Sequence, residues 1–163
     1  MSSIVIKLLE SDNSRLFKED VVKQQAEADH VNFFTGCRMA LDSLYTFGVK
    51  QVPQATKDGA GLDFDEFTKL ATKLNERVLT GHDARDAILE AMEKSTMDEW
   101  NYWYRRTLIK DLRCGVSEKT INNVQKGTIP VFGCMLAHDG AKHPKKIKGE
   151  CLVEYKYDGV RVI

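Results

Sequence analysis

An all-α fold closed by a short β segment is predicted for this chain, and three observations carry the prediction. Apolar residues recur at three- and four-residue spacing through most of the first 125 positions, start signals precede several of these runs, and strict alternation is confined to the end. Ile4, Val5, Leu8 and Leu9 form a short apolar face, and Leu16, Val21 and Val22 carry near-helical spacing through residues 14–28, so two helices are expected before residue 30. Residues 31–47 place Val31, Phe34, Met39, Leu41, Leu44 and Tyr45 on a broad stripe, predicting a helix that frays near Gly48. Pro53, Gly59 and Gly61 mark a loop. Asp63 then caps the clearest helix, with Glu66 three residues on and Phe64, Phe67, Leu70, Ala71, Leu74 and Val78 at helical spacing. Thr80 with Asp83 and Thr96 with Glu99 start helices near 82–94 and 97–113, and Ser117 starts another at 118–125. From Lys126 to Gly149 the periodicity lapses among Pro130, Gly133, Gly140, Pro144 and the basic run from Lys142 to Lys148, as in a linker. The expected organisation is a helical domain over 1–129, a linker over 130–149 and the start of a second domain over 150–163. No internal repeat is visible.

With 163 residues, 42% of them hydrophobic, the chain is long enough to bury a real core. No signal-peptide pattern opens it and no run approaches the ~18 apolar residues of a membrane span, so a cytoplasmic protein with no membrane partner is expected. Cys37, Cys114, Cys134 and Cys151 are widely spaced, without a Cys-x-x-Cys pair or a histidine at ligand spacing, and are read as reduced, mostly buried thiols. His30, His82, His138 and His143 likewise suggest surface or capping roles, and no metal site is expected. Trp100 and Trp103 could form a base-stacking platform, but an apolar helix face is more often core.

The net charge of zero hides an asymmetry. Residues 1–100 hold 12 Lys+Arg against 18 Asp+Glu, and residues 101–163 hold 12 against 6, so the second part is the expected polyanion-facing side. On a helix over 97–113, Arg106, Lys110 and Arg113 would lie along one face while Trp100, Trp103, Tyr104 and Leu108 cover another. Gly115 permits a tight turn beyond it, and the free N–H groups after Ser117, with Lys119 close by, suit a phosphate oxygen. Thr80-Gly81-His82 repeats that device at another helix start. Ordinary capping and a solvated basic face are the bland alternatives.

The last segment carries the most specific motif, Glu154-Tyr155-Lys156-Tyr157-Asp158-Gly159-Val160-Arg161. On a strand, Glu154, Lys156 and Asp158 would face one way and Cys151, Val153, Tyr155 and Tyr157 the other. A lysine that attacks a nucleotide α-phosphate must be neutral, which for a group titrating near ~10.4 requires desolvation or nearby cations. Gly159 would let the backbone pass close to a nucleotide, and Arg161 would bring forked donors toward phosphate or ribose. An amphipathic edge strand with a solvated lysine remains the alternative. No Gly-x-x-x-x-Gly-Lys phosphate loop occurs.

The stretch Glu154 to Arg161 resembles the adenylation motif of ATP-dependent DNA ligases, and Met135-Leu136-Ala137-His138 stands at the distance upstream where those enzymes carry a similar segment. Arg77-Val78-Leu79-Thr80-Gly81 and Asp111-Leu112-Arg113-Cys114-Gly115 resemble segments of the helical N-terminal domain of the bacteriophage members. The resemblance runs from about residue 4 to the end. It implies a multi-helix DNA-binding domain followed by an incomplete β-strand segment of a nucleotidyltransferase domain. It further implies ATP and Mg2+ as cofactors of the intact enzyme, Lys156 as the residue that forms lysyl–AMP, and Glu154 and Arg161 as cofactor-binding residues beside adenine and ribose or nick phosphate. Nicked or duplex DNA would be held by its phosphate backbone through Thr80, Gly81, Arg106, Lys110, Arg113, Gly115, Ser117 and Lys119. The present chain holds neither the later ligase motifs nor the rest of the catalytic sheet, so no bound cofactor and no nick sealing are expected of it. A stand-alone, non-sequence-specific DNA-binding module and a helical protein-interaction domain are the other readings. RNA ligases and messenger-capping enzymes share the Lys-x-Asp-Gly core, but it is the DNA ligases that carry the helical domain ahead of it.

Overall fold

The computed structural model describes residues 2–131 together with Lys142, Gly149 and Glu150. Helices run at Ser2–Glu10 (α1), Arg15–Glu27 (α2), Val31–Leu41 (α3), Phe64–Asn75 (α4) and Gly81–Lys94 (α5). A continuous rod follows, made of Met97–Glu99 (α6), a π-helical segment Trp100–Tyr104 and Arg105–Leu108 (α7), and the series closes with Glu118–Val124 (α8). The described residues are therefore all-α, as the spacing predicts. The chain divides into two compact units, Met1–Val131 and Phe132–Ile163, and all these helices belong to the first. The strand expected within 150–163 lies, from Cys151 on, outside the described residues.

The rod lies at the centre of the core. Trp100 and Leu108 are fully buried with Phe33 from α3, Ile6 and Leu9 from α1 and Phe67 and Leu74 from α4. Trp103 stacks on Phe33 at 5.8 Å and Tyr104 on Phe67 at 4.4 Å, so both tryptophans are core and not a stacking platform. Burial departs from the sequence reading in the first helix, where Val5, Ile6 and Leu9 face inward and Ile4 and Leu8, a residue earlier on the wheel, face out. Leu16, Leu44 and Val78 are exposed as well.

Two helices are shorter than their apolar patterns suggest. α3 stops at Leu41 because Asp42 turns extended (ψ 118°) and its carboxylate accepts the Leu44 N–H at 2.9 Å, an Asx turn that competes with the helix. The rod stops at Leu108, five residues before the predicted end. There the Asp111 N–H donates to Arg106 O at 3.1 Å and the Lys110 N–H to Thr107 O at 3.1 Å, with Lys110 in the left-handed region at φ 61°. This is a Schellman ending built on a non-glycine residue. α4 ends the same way on Arg77 (φ 61°) and α2 on Asp29 (φ 50°).

The segment between α3 and α4 is irregular yet ordered, because the rod laces it down. Trp100 Nε1 donates to Pro53 O at 2.9 Å, and Asn101 bonds both the N–H (2.9 Å) and the carbonyl (3.0 Å) of Ala55. Tyr104 donates to Leu62 O at 2.7 Å and Arg105 Nε to Val52 O at 2.8 Å. Backbone bonds from Gly59 to Ser95 O and from Gly61 to Lys94 O, 2.9 and 2.8 Å long, fix the far end of the loop. At Gly59 a Cβ would stand 2.2 Å from Glu93 O, against backbone that cannot step aside. Gly59→Ala should therefore destabilise the protein by about 1–3 kcal/mol, and an unchanged thermal midpoint would show that the loop rides free of the end of α5.

Candidate nucleic-acid interface

The single cationic helix face expected over 97–113 is not what the chain builds. Arg106 is 9% exposed and turned inward, where one Nη donates to Glu10 Oε1 at 2.7 Å and to Leu112 O at 2.9 Å, with its guanidinium 4.7 Å from the Tyr102 ring centroid. Lys110 lies past the helix end, and its left-handed backbone sends Nζ to the C-terminus of α3, where it meets Met39 O at 3.0 Å and Asp42 O. A cation there complements the helix dipole and the orphan carbonyls of the last turn. Burial lowers the Lys110 pKa and the Asp42 carboxylate opposes that shift. Both residues are tied into the fold, Arg106 on the buried face of α7 and Lys110 beyond its end.

Arg113 does reach the surface. It also has positive φ (53°), its N–H donates to Asp111 Oδ1 at 3.0 Å, and its half-exposed side chain pairs only loosely with Asp111, Nε to Oδ2 3.6 Å. Arg113 lines a concavity with Lys50, Gln51, Pro53, Arg85 and Arg105. A second concavity shares Lys50, Gln51, Pro53 and Arg85 and adds Arg77, Thr80 and Gly81. Together they form a continuous groove with five cations, Lys50, Arg77, Arg85, Arg105 and Arg113, and one lining acid, Asp111, among the described residues. Burial, and to a smaller degree the nearby charges of Arg113 and Arg106, lower the Arg105 pKa.

Thr80 and Gly81 sit at the other end of this groove. Thr80 caps α5 through its backbone, its hydroxyl making no capping bond, and Gly81 (φ 56°) turns the chain into the helix with open space beside it. The N–H groups of Gly81, His82 and Asp83 have no partner among the described residues, as at any helix start, and they emerge beside Arg77 and Arg85. Thr80, Gly81 and Arg113 are thus brought together, although 33 residues separate Thr80 from Arg113 in the sequence. Gly115, Ser117 and Lys119 are exposed but do not line the groove. Lys119 lies toward α2, close enough to lower the Glu19 pKa slightly, after the stronger hydrogen bonds from Arg15 and Asn123. Lys156, Glu154 and Arg161 lie outside the described residues.

Lys50, Arg77, Arg85 and Arg105 were missed by the sequence reading. Arg77 falls within the Arg-Val-Leu-Thr-Gly segment, but the other three stand singly on a loop and two helices, with no local pattern to gather them. Cys37 and Cys114 are buried free thiols, as expected, and burial raises both pKa values. Among the described residues no group of His, Cys, Asp and Glu could hold a metal ion, and no helix is long and apolar enough to cross a membrane.

No family model matches the chain. Over 102 residues, 61% of its length, it is 37% identical to the DNA ligase of Enterobacteria phage T4, and equally to that of Enterobacteria phage T6. The match covers 20% of each relative, so the chain spans about a fifth of their length. Solved chains named Pmar-Lig_Pre and Pmar-Lig_PreS3 superpose with a TM-score of 0.81, at 52% and 53% identity, covering 90% of this chain and 35% of theirs. The resemblance to phage DNA ligases implied by the motifs is thereby borne out, and the helical fold is one the two solved Pmar-Lig chains share.

Proposed function

We propose that this chain supplies the DNA-binding part of an ATP-dependent DNA ligase and grips nicked or intact duplex by its phosphate backbone. The observation that carries the reading is the groove: five cations with one acid, bounded at one end by the Thr80–Gly81 turn and at the other by Arg113. Its donors are long cationic side chains and helix-start N–H groups, which suit phosphate oxygens, and the backbone-held duplex that the ligase resemblance implies makes the binding insensitive to sequence. Similarity to phage ligases over 61% of the chain supports DNA as the polyanion. In the intact protein, ATP and Mg2+ serve nick sealing with Lys156 as the adenylated residue, Glu154 beside the adenine and Arg161 on ribose or nick phosphate. Replication, repair and recombination in the host cytoplasm are the processes such sealing serves.

Gly115, Ser117 and Lys119 extend the grip beyond the groove along the turn before α8. Arg106 and Lys110 have no part in it, since Arg106 is buried with one Nη on Glu10 and Leu112 O, and the Lys110 ammonium is bonded to two carbonyls at the end of α3. The test is binding of a labelled nicked duplex, an intact duplex and a single strand across a salt series. With about four cations on phosphates, log affinity should fall against log salt with a slope near −4 for both duplexes, with weak single-strand binding. Absence of salt-sensitive duplex binding would leave a helical protein-interaction domain as the reading.

A further inference from the structure

We infer that Lys18 is an additional phosphate-binding residue, its ammonium meeting a phosphodiester oxygen of duplex DNA at the Gly115 turn. The inference rests on the duplex-binding reading and deepens it. Lys18, on α2, is 6% exposed, and among the described residues no hydrogen bond or ion pair engages its ammonium. Glu10, which like Lys18 acts on the Cys114 thiol, is committed to Arg106, and the acids that follow Lys18 on α2 are bonded elsewhere, Glu19 to Arg15 and Asn123 and Asp20 to Gln24. Its remaining polar neighbour, the Cys114 thiol, is kept neutral by burial and offers no counter-charge. An unpaired ammonium so placed works against stability, and residues that break a local rule without gain to the fold tend to serve a ligand.

Gly115 shows where the charge emerges. It holds φ 66°, and a Cβ there would stand 2.4 Å from Lys18 Nζ and 3.7 Å from Cε, so a side chain at this position would cover the ammonium. Glycine leaves it open. Gly115 is itself exposed, so the ammonium lies directly beneath an exposed turn that carries no side chain. A phosphodiester carries the single negative charge the site lacks, and Ser117 stands two residues further along the same exposed edge.

The experiment compares the wild-type chain with Lys18→Met in duplex binding across a salt series and in thermal melting. Losing one phosphate contact should lower the magnitude of the salt slope by about 0.9 and weaken binding about eightfold at 0.1 M salt. The thermal midpoint should hold or rise, since an unpaired buried charge has been removed. A wild-type slope in the variant would overturn the role of Lys18 while leaving duplex binding intact. Flat salt dependence in the wild type itself would remove the underlying reading and this one with it. Should the variant not fold, a short duplex is titrated into the isotope-labelled wild type, and unmoved Lys18 and Gly115 resonances on a saturating complex would be equally decisive.

Discussion

Replacing Arg106 by alanine is expected to lower stability by about 3 kcal/mol, a fall of roughly 6–12 °C in the thermal midpoint, without changing the salt slope of duplex binding. The guanidinium joins three separate parts of the fold: Glu10 at the end of α1, Leu112 O beyond the rod, and the Tyr102 ring. Truncation leaves the Leu112 carbonyl without its donor and Glu10 without its cation, and the second loss is softened because Glu10 is about a third exposed. Glu10→Gln should cost less, because Arg106 keeps its other two contacts. A plain reading of the sequence makes the opposite forecast, that Arg106 faces phosphate and its loss flattens the salt slope. Reduced slope at an unaltered midpoint would restore that reading.

The difference between the two forecasts is one of register. The rod reads as a basic, aromatic helix in either case, and its core face of Trp100, Trp103, Tyr104 and Leu108 was legible because large apolar residues recur at helical spacing. Its end was not, since the chain stops on Lys110 in a conformation usually signalled by glycine. The same device at Arg77 hides the end of α4. Within α7, Arg105 turns toward Val52 and the groove while Arg106 turns toward Glu10, so the outward cation is one residue away from the one the pattern chose. Lys50 and Arg85 illustrate a deeper limit. They meet only because Trp100, Asn101 and Arg105 lace the 42–63 loop onto the rod, a set of side-chain to backbone bonds spanning about fifty residues that no local pattern encodes.

Reversing two charges in the groove, Arg85→Glu with Arg113→Glu, is expected to weaken duplex binding by at least about 60-fold at 0.1 M salt and to take about 1.8 from the magnitude of the slope. Those figures count only the two lost phosphate contacts, and repulsion by the new carboxylates adds to them. Both side chains are exposed, and Arg113 has only its loose pairing with Asp111, so stability should change by no more than about 0.5 kcal/mol for each substitution. The control must carry the same change in net charge, because long-range repulsion alone weakens binding to a polyanion. Lys69→Glu with Lys94→Glu meets that need: both lysines are exposed and neither lines the groove. If the groove is the interface, the control pair keeps nearly the whole salt slope and loses affinity only modestly, by an amount that shrinks as salt rises. Equal losses from the two pairs would mean that DNA responds to net charge and not to this surface, and the interface would then have to be sought on the Gly115 side of the molecule, where Lys18 and Lys119 stand.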